Sequence, residues 1–185
     1  MANADRFTIK SGEAIQAALR LANEGGHPEV MGVHLLSALL SQEEGIVGPV
    51  LEKAGVRLPL LRSRAVEALG RLARVEGGSD PGTSRDLRRV IELAEKDAKG
   101  LGDQYISSEH LLLGLTQEKD DAGRILKEAG VTRDLVLRAL DEVRGSHRVT
   151  DATPEDKYQA VERFSRDLTA LAREGKLDPV IGRDE

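Results

Sequence analysis

Two histidines, His34 and His110, stand at matching places in two similar stretches of the chain, and two acids, Asp103 and Glu109, bracket the large apolar residues Tyr105 and Ile106. Imidazoles can ligate metals, relay protons or cap helices, and paired carboxylates can do general acid–base work. A metal reading needs further converging ligands, yet the chain has no cysteine and no close His or carboxylate spacing to provide them. A hydrolase built on Asp103 and Glu109 would lack a marked nucleophile or oxyanion donor. The matched histidines instead favour a structural task, bonding backbone groups exposed at a helix start. Neither a catalytic residue nor a metal site is therefore expected. The loop 101–109 suits another task, because apolar contact flanked by acids fits a peptide-binding groove. Thr8, ahead of the first helix, and Ile91, on the matching helix of the second stretch, would lie near this loop in a pseudo-symmetric pair. The same residues also fit a plainer role. Tyr105 and Ile106 would staple the loop to the core, Thr8 would cap a helix, and the acids would favour a helix N-terminus.

The elements that must hold these residues come from an internal repeat. Val33-His34-Leu35-Leu36 parallels Glu109-His110-Leu111-Leu112, and Leu51-Glu52-Lys53-Ala54-Gly55-Val56 parallels Leu126-Lys127-Glu128-Ala129-Gly130-Val131. Upstream, Ala14-Ile15, Ala18-Leu19 and Ala22 align with Asp86-Leu87, Val90-Ile91 and Ala94, which asks for about four extra residues before the second histidine and makes loop 101–109 longer than its counterpart. Apolar residues recur at three- and four-residue spacing, which predicts helices near 11–24, 33–42, 46–54 and 59–73, and again near 85–99, 108–117, 122–129 and 133–144. Gly25-Gly26 and Gly100 end first helices, Gly55 and Gly130 close short ones, and Thr8, Ser107 and Thr132 are cap candidates. Strand-period alternation is nearly absent. The fold class is all-α: two four-helix repeats, 11–73 and 85–144, form one domain over 5–145, with Arg74 to Ser84 between them. A polar linker, 146–153, follows, and Thr153-Pro154-Glu155-Asp156 opens a further helix. The linker is expected to act as flexible coil, spanning ~16 Å if unanchored.

Composition narrows the function. Aromatic residues make up 2% of the chain, so core energy must come from many Leu, Ile, Val and Ala contacts. The formal net charge of −5 is spread along the chain and leaves no basic face for phosphates, so nucleic acid is not an expected partner. No apolar run approaches the ~20 residues of a membrane span, and the first ten residues, with Asp5, Arg6 and Lys10, do not form a signal peptide. A cytoplasmic protein is expected.

The run Gly175-Lys176-Leu177-Asp178-Pro179-Val180-Ile181-Gly182-Arg183 begins a structure that reads as continuing past Glu185. With the duplicated module, Arg6-Phe7-Thr8 and Gly102-Asp103-Gln104-Tyr105-Ile106-Ser107-Ser108-Glu109-His110-Leu111, it resembles the Clp amino-terminal domain and the opening of the first nucleotide-binding domain of ClpB-type AAA+ disaggregases. Val75-Glu76-Gly77 and Tyr158-Gln159-Ala160 favour the ClpB-like branch over the ClpA- and ClpC-like ones. The resemblance implies a chaperone part that receives exposed hydrophobic segments of aggregated proteins, with Thr8, Ile91, Asp103, Tyr105, Ile106, Glu109 and His110 at or beside the groove. His110 stands where some relatives carry an apolar residue. Residues 154–185 would start the ATPase domain, with Val180, Ile181 and Gly182 beside the adenine. No Gly-x-x-x-x-Gly-Lys-Ser/Thr loop is present, so this chain is not expected to be an enzyme or to hold a cofactor by itself. ATP, Mg, a homohexamer, a coiled-coil insertion, a stress-response role and a DnaK-type partner are what the resemblance implies for a full-length protein. An adaptor-docking domain of a ClpC- or ClpA-like protease regulator, or a helical scaffold without clients, are the alternatives.

Overall fold

The structure, a computed structural model, describes residues 4–78 and 80–158. After a short 3-10 turn at Ala4–Arg6, helix α1 spans Ile9–Gly25, α2 Gly32–Ser41, α3 Val47–Lys53 and α4 Leu58–Gly70. The second half repeats the order with α5 at Arg85–Gly100, α6 at Ser108–Gln117, α7 at Asp121–Glu128 and α8 at Arg133–Arg144. Two-residue strands β1, Glu29–Val30, and β2, Gly82–Thr83, pair in parallel. The all-α expectation holds: α6 and α8 have the expected bounds, and the other helix ends lie within three residues of theirs.

Helices α2 and α6 form the centre. Val33, His34, Leu35, Leu36, Leu39 and Leu40 of α2 are all buried, as are Glu109, His110, Leu111, Leu112, Leu113 and Leu115 of α6. A helix apolar on nearly every side must be enclosed, and here the surrounding helices supply amphipathic faces. On α1 the buried residues are Ser11, Ala14, Ala18 and Ala22; on α5 they include Leu87, Val90, Ala94 and Ala98. Truncating one of the central leucines to alanine should cost about 2–5 kcal/mol, because close neighbours cannot all relax into the void.

This burial corrects the repeat alignment. The two halves superimpose in sequence at a constant separation of 76 positions from the N-caps Thr8 and Ser84 through His34 and His110. Thr8 accepts from the Ser11 N–H and Ser84 from the Leu87 N–H; Gly26 and Gly102, at φ 66° and 74°, turn the chain the same way. No extra residues are needed, and loop 101–109 has the same length as loop 25–33. The sequence alignment had slipped by four residues, close to one turn, which leaves an amphipathic stripe on nearly the same face.

The halves are also cross-tied. Phe7, just before α1, bridges to Ile106, just before α6, while Thr83, just before α5, pairs with Val30, just before α2. Each half thus lays its lead-in strand on the loop of the other. The Thr8 N–H donates to the Ile106 carbonyl at 3.0 Å, and the Ser84 N–H donates to the Val30 carbonyl at 3.0 Å.

The expected coil 146–153 lies against the body in this structure. Val149 is fully buried; its N–H donates to Asp103 Oδ1 at 2.9 Å, and its carbonyl accepts from the Gln104 N–H at 2.8 Å. Ala152 accepts from the Ile9 N–H at 2.9 Å, and residues 154–158 are helical. One apolar side chain and several backbone bonds provide the anchors that a polar composition hides. Phe164, Leu168 and Leu171, which the sequence spacing would place on the same helix, lie outside the described residues.

Candidate functional site

The acids and histidines singled out in the sequence meet in a buried cluster. At the start of α6 the Ser107 N–H donates to His110 Nδ1 at 2.9 Å, which places the ring proton on Nε2. That proton is donated to Asp103 Oδ2 at 2.8 Å. Arg144, from the end of α8, pairs with the other oxygen of Asp103 and reaches Glu109 Oε1 at 3.3 Å. Burial pushes the Asp103 carboxyl up, but the bonds from His110, Arg144 and the Val149 N–H outweigh it and hold it lowered to about 2. Such a group is a structural anchor: charged, saturated and closed to water.

Thr8 is buried too. Its hydroxyl lies 3.0 Å from Ser11 Oγ and 3.3 Å from Glu155 Oε1, while Ser11 Oγ donates to the Ile106 carbonyl at 2.6 Å. Ile106, Glu109 and His110 are each at most 1% exposed, so none of them offers a surface in this arrangement. Tyr105 is half-buried. The structure therefore brings Thr8, Asp103, Glu109 and His110 together, but as an interior network. Ile91 lies elsewhere, on the outer side of α5. Val180, Ile181 and Gly182 lie outside the described residues.

Ile91 lines an open cleft of about 690 Å³ together with Arg6, Phe7, Ile15, Thr83, Arg88, Glu92 and Glu95. Ile15 and Ile91 are 76 positions apart, as are Phe7 and Thr83, so the cleft sits on the pseudo-two-fold relation between the halves. Its apolar floor comes from α1, α5 and the lead-in residue Phe7. Its rim is charged: Arg6 pairs with Glu95, which also accepts from Lys99 at 3.0 Å. Those cationic donors, Lys99 foremost, hold the Glu95 carboxyl below its ordinary value. An apolar floor with mixed charge at its rim can take an extended or helical segment of several residues.

Sequence reasoning missed Phe7, Ile15 and Arg6 in the cleft and Arg144 in the cluster. The slipped alignment concealed Ile15, since Ile91 had been matched to Leu19. The seven-residue interval from Asp103 to His110 equals that from His27 to His34, and this repeated spacing was a legible signal of the cluster. In the first half, the Met31 N–H donates to His34 Nδ1 at 2.9 Å, and His34 Nε2 donates to His27 Nδ1 at 2.8 Å. Among the described residues, no group of three or more His, Asp or Glu is placed to hold a metal ion, and no helix is long and apolar enough to cross a membrane.

A duplicated four-helix module, with lead-in segments exchanged between its halves and a cleft on its internal two-fold, defines the class of fold. Residues 6–129 match the family described as the Clp repeat (R) N-terminal domain, and the chain belongs to that family. Chaperone protein ClpB of Corynebacterium diphtheriae is 43% identical over 180 residues, covering 96% of this chain and 21% of that protein. The chain thus spans about a fifth of the length of this curated relative. The Hsp104 N-terminal domain from Candida albicans superposes with a TM-score of 0.72 at 22% identity, over 80% of this chain and 98% of that one. A ClpV N-domain in complex with a VipB peptide gives a TM-score of 0.60 at 22% identity, over 75% of this chain and 86% of that one. At these identities the two structures speak to the fold alone.

Proposed function

We propose that the duplicated domain captures exposed apolar segments of misfolded or aggregated proteins. A larger ClpB-like ATPase, acting in the cytoplasm as an ATP- and Mg-dependent hexamer with a DnaK-type partner, would then thread them. The observation that carries this reading is the cleft on the two-fold relation, with Phe7, Ile15 and Ile91 at its floor and Arg6, Arg88, Glu92 and Glu95 around it. The relation to ClpB and the peptide carried by the ClpV N-domain support it. Capture is proposed for Ile91 with these newly placed neighbours. Tyr105 lies in the adjoining loop, and Thr8, Asp103, Ile106, Glu109 and His110 act from beneath by holding the Phe7 bridge and its loop in place.

Affinity should be weak. Burying ~500 Å² of apolar surface at ~25 cal/mol/Å² yields ~12 kcal/mol gross, against ~4–15 kcal/mol for association and ordering. Weak, sequence-tolerant binding suits many clients, and several copies on one oligomer would raise avidity. Fluorescence anisotropy with labelled, permanently unfolded casein tests the reading. Ile15→Ser together with Ile91→Ser should weaken binding at least about tenfold while circular dichroism stays unchanged. Unaltered casein binding in that double variant would overturn the assignment, and a tight one-to-one complex with a folded adaptor in place of casein binding would favour the adaptor-docking alternative.

A further inference from the structure

The segment after α8 folds back as a strap, and among the described residues what it covers holds more acids than cations. Gly145, at φ 59°, reverses the chain; Arg144 Nε donates to the His147 carbonyl at 2.8 Å; Val149 plugs into the body. Near its end the strap carries Glu155, only 2% exposed, laid over Thr8 and facing Glu109. Two of the enclosed carboxylate oxygens, Glu109 Oε2 and Glu155 Oε2, have no hydrogen-bond partner. Facing Glu155 are Glu109 from α6, the Thr8 hydroxyl ahead of α1, and Asp156 and Tyr158 from its own turn; Tyr158 in turn feels Arg144, Glu109 and Asp103, which form the adjoining pair of ion bridges. His110 stands behind Asp103, and His147 stacks edge-on to Tyr158 at 6.3 Å. Among the described residues, Arg144 is the cation paired within this cluster, and it already serves Asp103 and Glu109. A third ionised carboxylate there would be uncompensated, which is costly in a closed site.

The geometry points to a proton-gated latch: residues 145–158 close over Thr8, Asp103 and Glu109 while Glu155 carries a proton, and swing away when Glu155 ionises beside Glu109. In the closed form the protonated carboxyl donates to Thr8 Oγ1, the Thr8 hydroxyl donates to Ser11 Oγ, and Ser11 in turn donates to the Ile106 carbonyl. Burial, and after it the charge of Glu109, pushes the Glu155 carboxyl up to about 7. The undocked strap would expose Glu155 to water at its ordinary value of 4.5. Docking is therefore strongest below pH 4.5, weakens as pH rises from there to about 7, and levels off above, a change on the order of a hundredfold. This goes beyond the cleft reading and does not rest on it. Opening would uncover the acids behind the Phe7–Ile106 bridge and lengthen the tether by the residues now held.

Amide hydrogen exchange on the 185-residue chain tests the latch through bonds it alone makes: the Ile9 N–H to Ala152, and the Gln104 N–H to Val149. Expressed as protection factors, which remove the intrinsic pH dependence of exchange, both should fall ~10–100-fold between pH 5 and 8. Leu36 and Leu112, in the central helices, should show no such fall. Glu155→Gln, which mimics the protonated acid, should hold both amides at their low-pH protection throughout. Val149→Ser should release them at every pH while Leu36 and Leu112 remain protected. A flat wild-type profile, an unchanged pH response in Glu155→Gln, or full protection of Ile9 and Gln104 in Val149→Ser would each overturn the proposal.

Discussion

The halves use the same backbone device and complete it with opposite chemistry. In each, an N–H at the start of the central helix donates to a histidine Nδ1, and the ring's Nε2 proton is donated seven residues upstream. Upstream of His34 that acceptor is neutral His27, whose own Nε2 is buried without a partner. Upstream of His110 it is Asp103, backed by Arg144 and the strap. One half is therefore closed by an uncharged pair and the other by an ion-paired network tied to the chain that follows. Duplication preserves a fold where backbone geometry is fixed, and leaves the halves free to diverge wherever a side chain can find a different third partner.

The largest test of this contrast removes Arg144. Arg144→Ala strands Asp103 and Glu109, two buried carboxylates, and should cost about 3–5 kcal/mol in urea denaturation. No single residue of the first half plays that part, so a loss below about 1 kcal/mol would erase the distinction between the halves.

Acid should separate them next. Burial, and then the neighbouring His27, hold His34 at about 4 against an ordinary 6.5. The unfolded chain takes up this proton first, so the stability is complete above pH 6.5 and declines through the window down to about 4, by about 3 kcal/mol. Asp103 behaves as a depressed acid: its contribution is complete above pH 3.8 and is lost as pH falls through about 2. His27→Asp gives the first half the second half's partner. The stability difference between pH 7 and pH 4.5 should shrink in that variant relative to wild type, and an equal difference would mean the histidine pair does not set acid lability.

Glycines at matched positions offer a smaller test. A Cβ on Gly123 of α7 would sit 1.8 Å from the Glu118 carbonyl oxygen, whereas one on Gly48 of α3 would meet Leu58 Cδ1 at 3.7 Å, an ordinary contact. Gly123→Ala should lower thermal stability by about 1–3 kcal/mol, and Gly48→Ala should raise it by about 0.5–1 kcal/mol. Equal effects would show that α3 and α7 approach their neighbours alike. An effect of similar size is expected at the caps: Thr132→Ala removes the hydroxyl accepting from the Leu135 N–H and should cost about 1 kcal/mol in the same melts.

Much of this architecture was legible. The helix ends followed from Gly55 and Gly130, at φ 79° and 77°, and from Thr8 and Thr132 as caps, because these signals act within one turn of chain. The first-helix register was not, because a slip of four residues leaves an apolar stripe nearly unmoved. Asp103 and Glu109 read as surface acids, since nothing local announces that Arg144, 35 residues beyond Glu109, returns to neutralise them. Val149 read as a lone apolar residue in a polar coil for the same reason: the groups that anchor its backbone, on Asp103 and Gln104, lie more than forty positions away.

The sequence by itself determined the helices, their duplication, the capping residues and the family, because each rests on spacing within a few turns or on a motif in fixed order. Tertiary structure alone decided that the acids face inward, that each half's lead-in strand lies on the other half, that Ile15 and Ile91 meet across one cleft, and that the strap closes over Thr8. Those outcomes depend on which distant groups desolvate together, and a buried charge or an apolar plug takes its meaning only from the partner that folding brings to it.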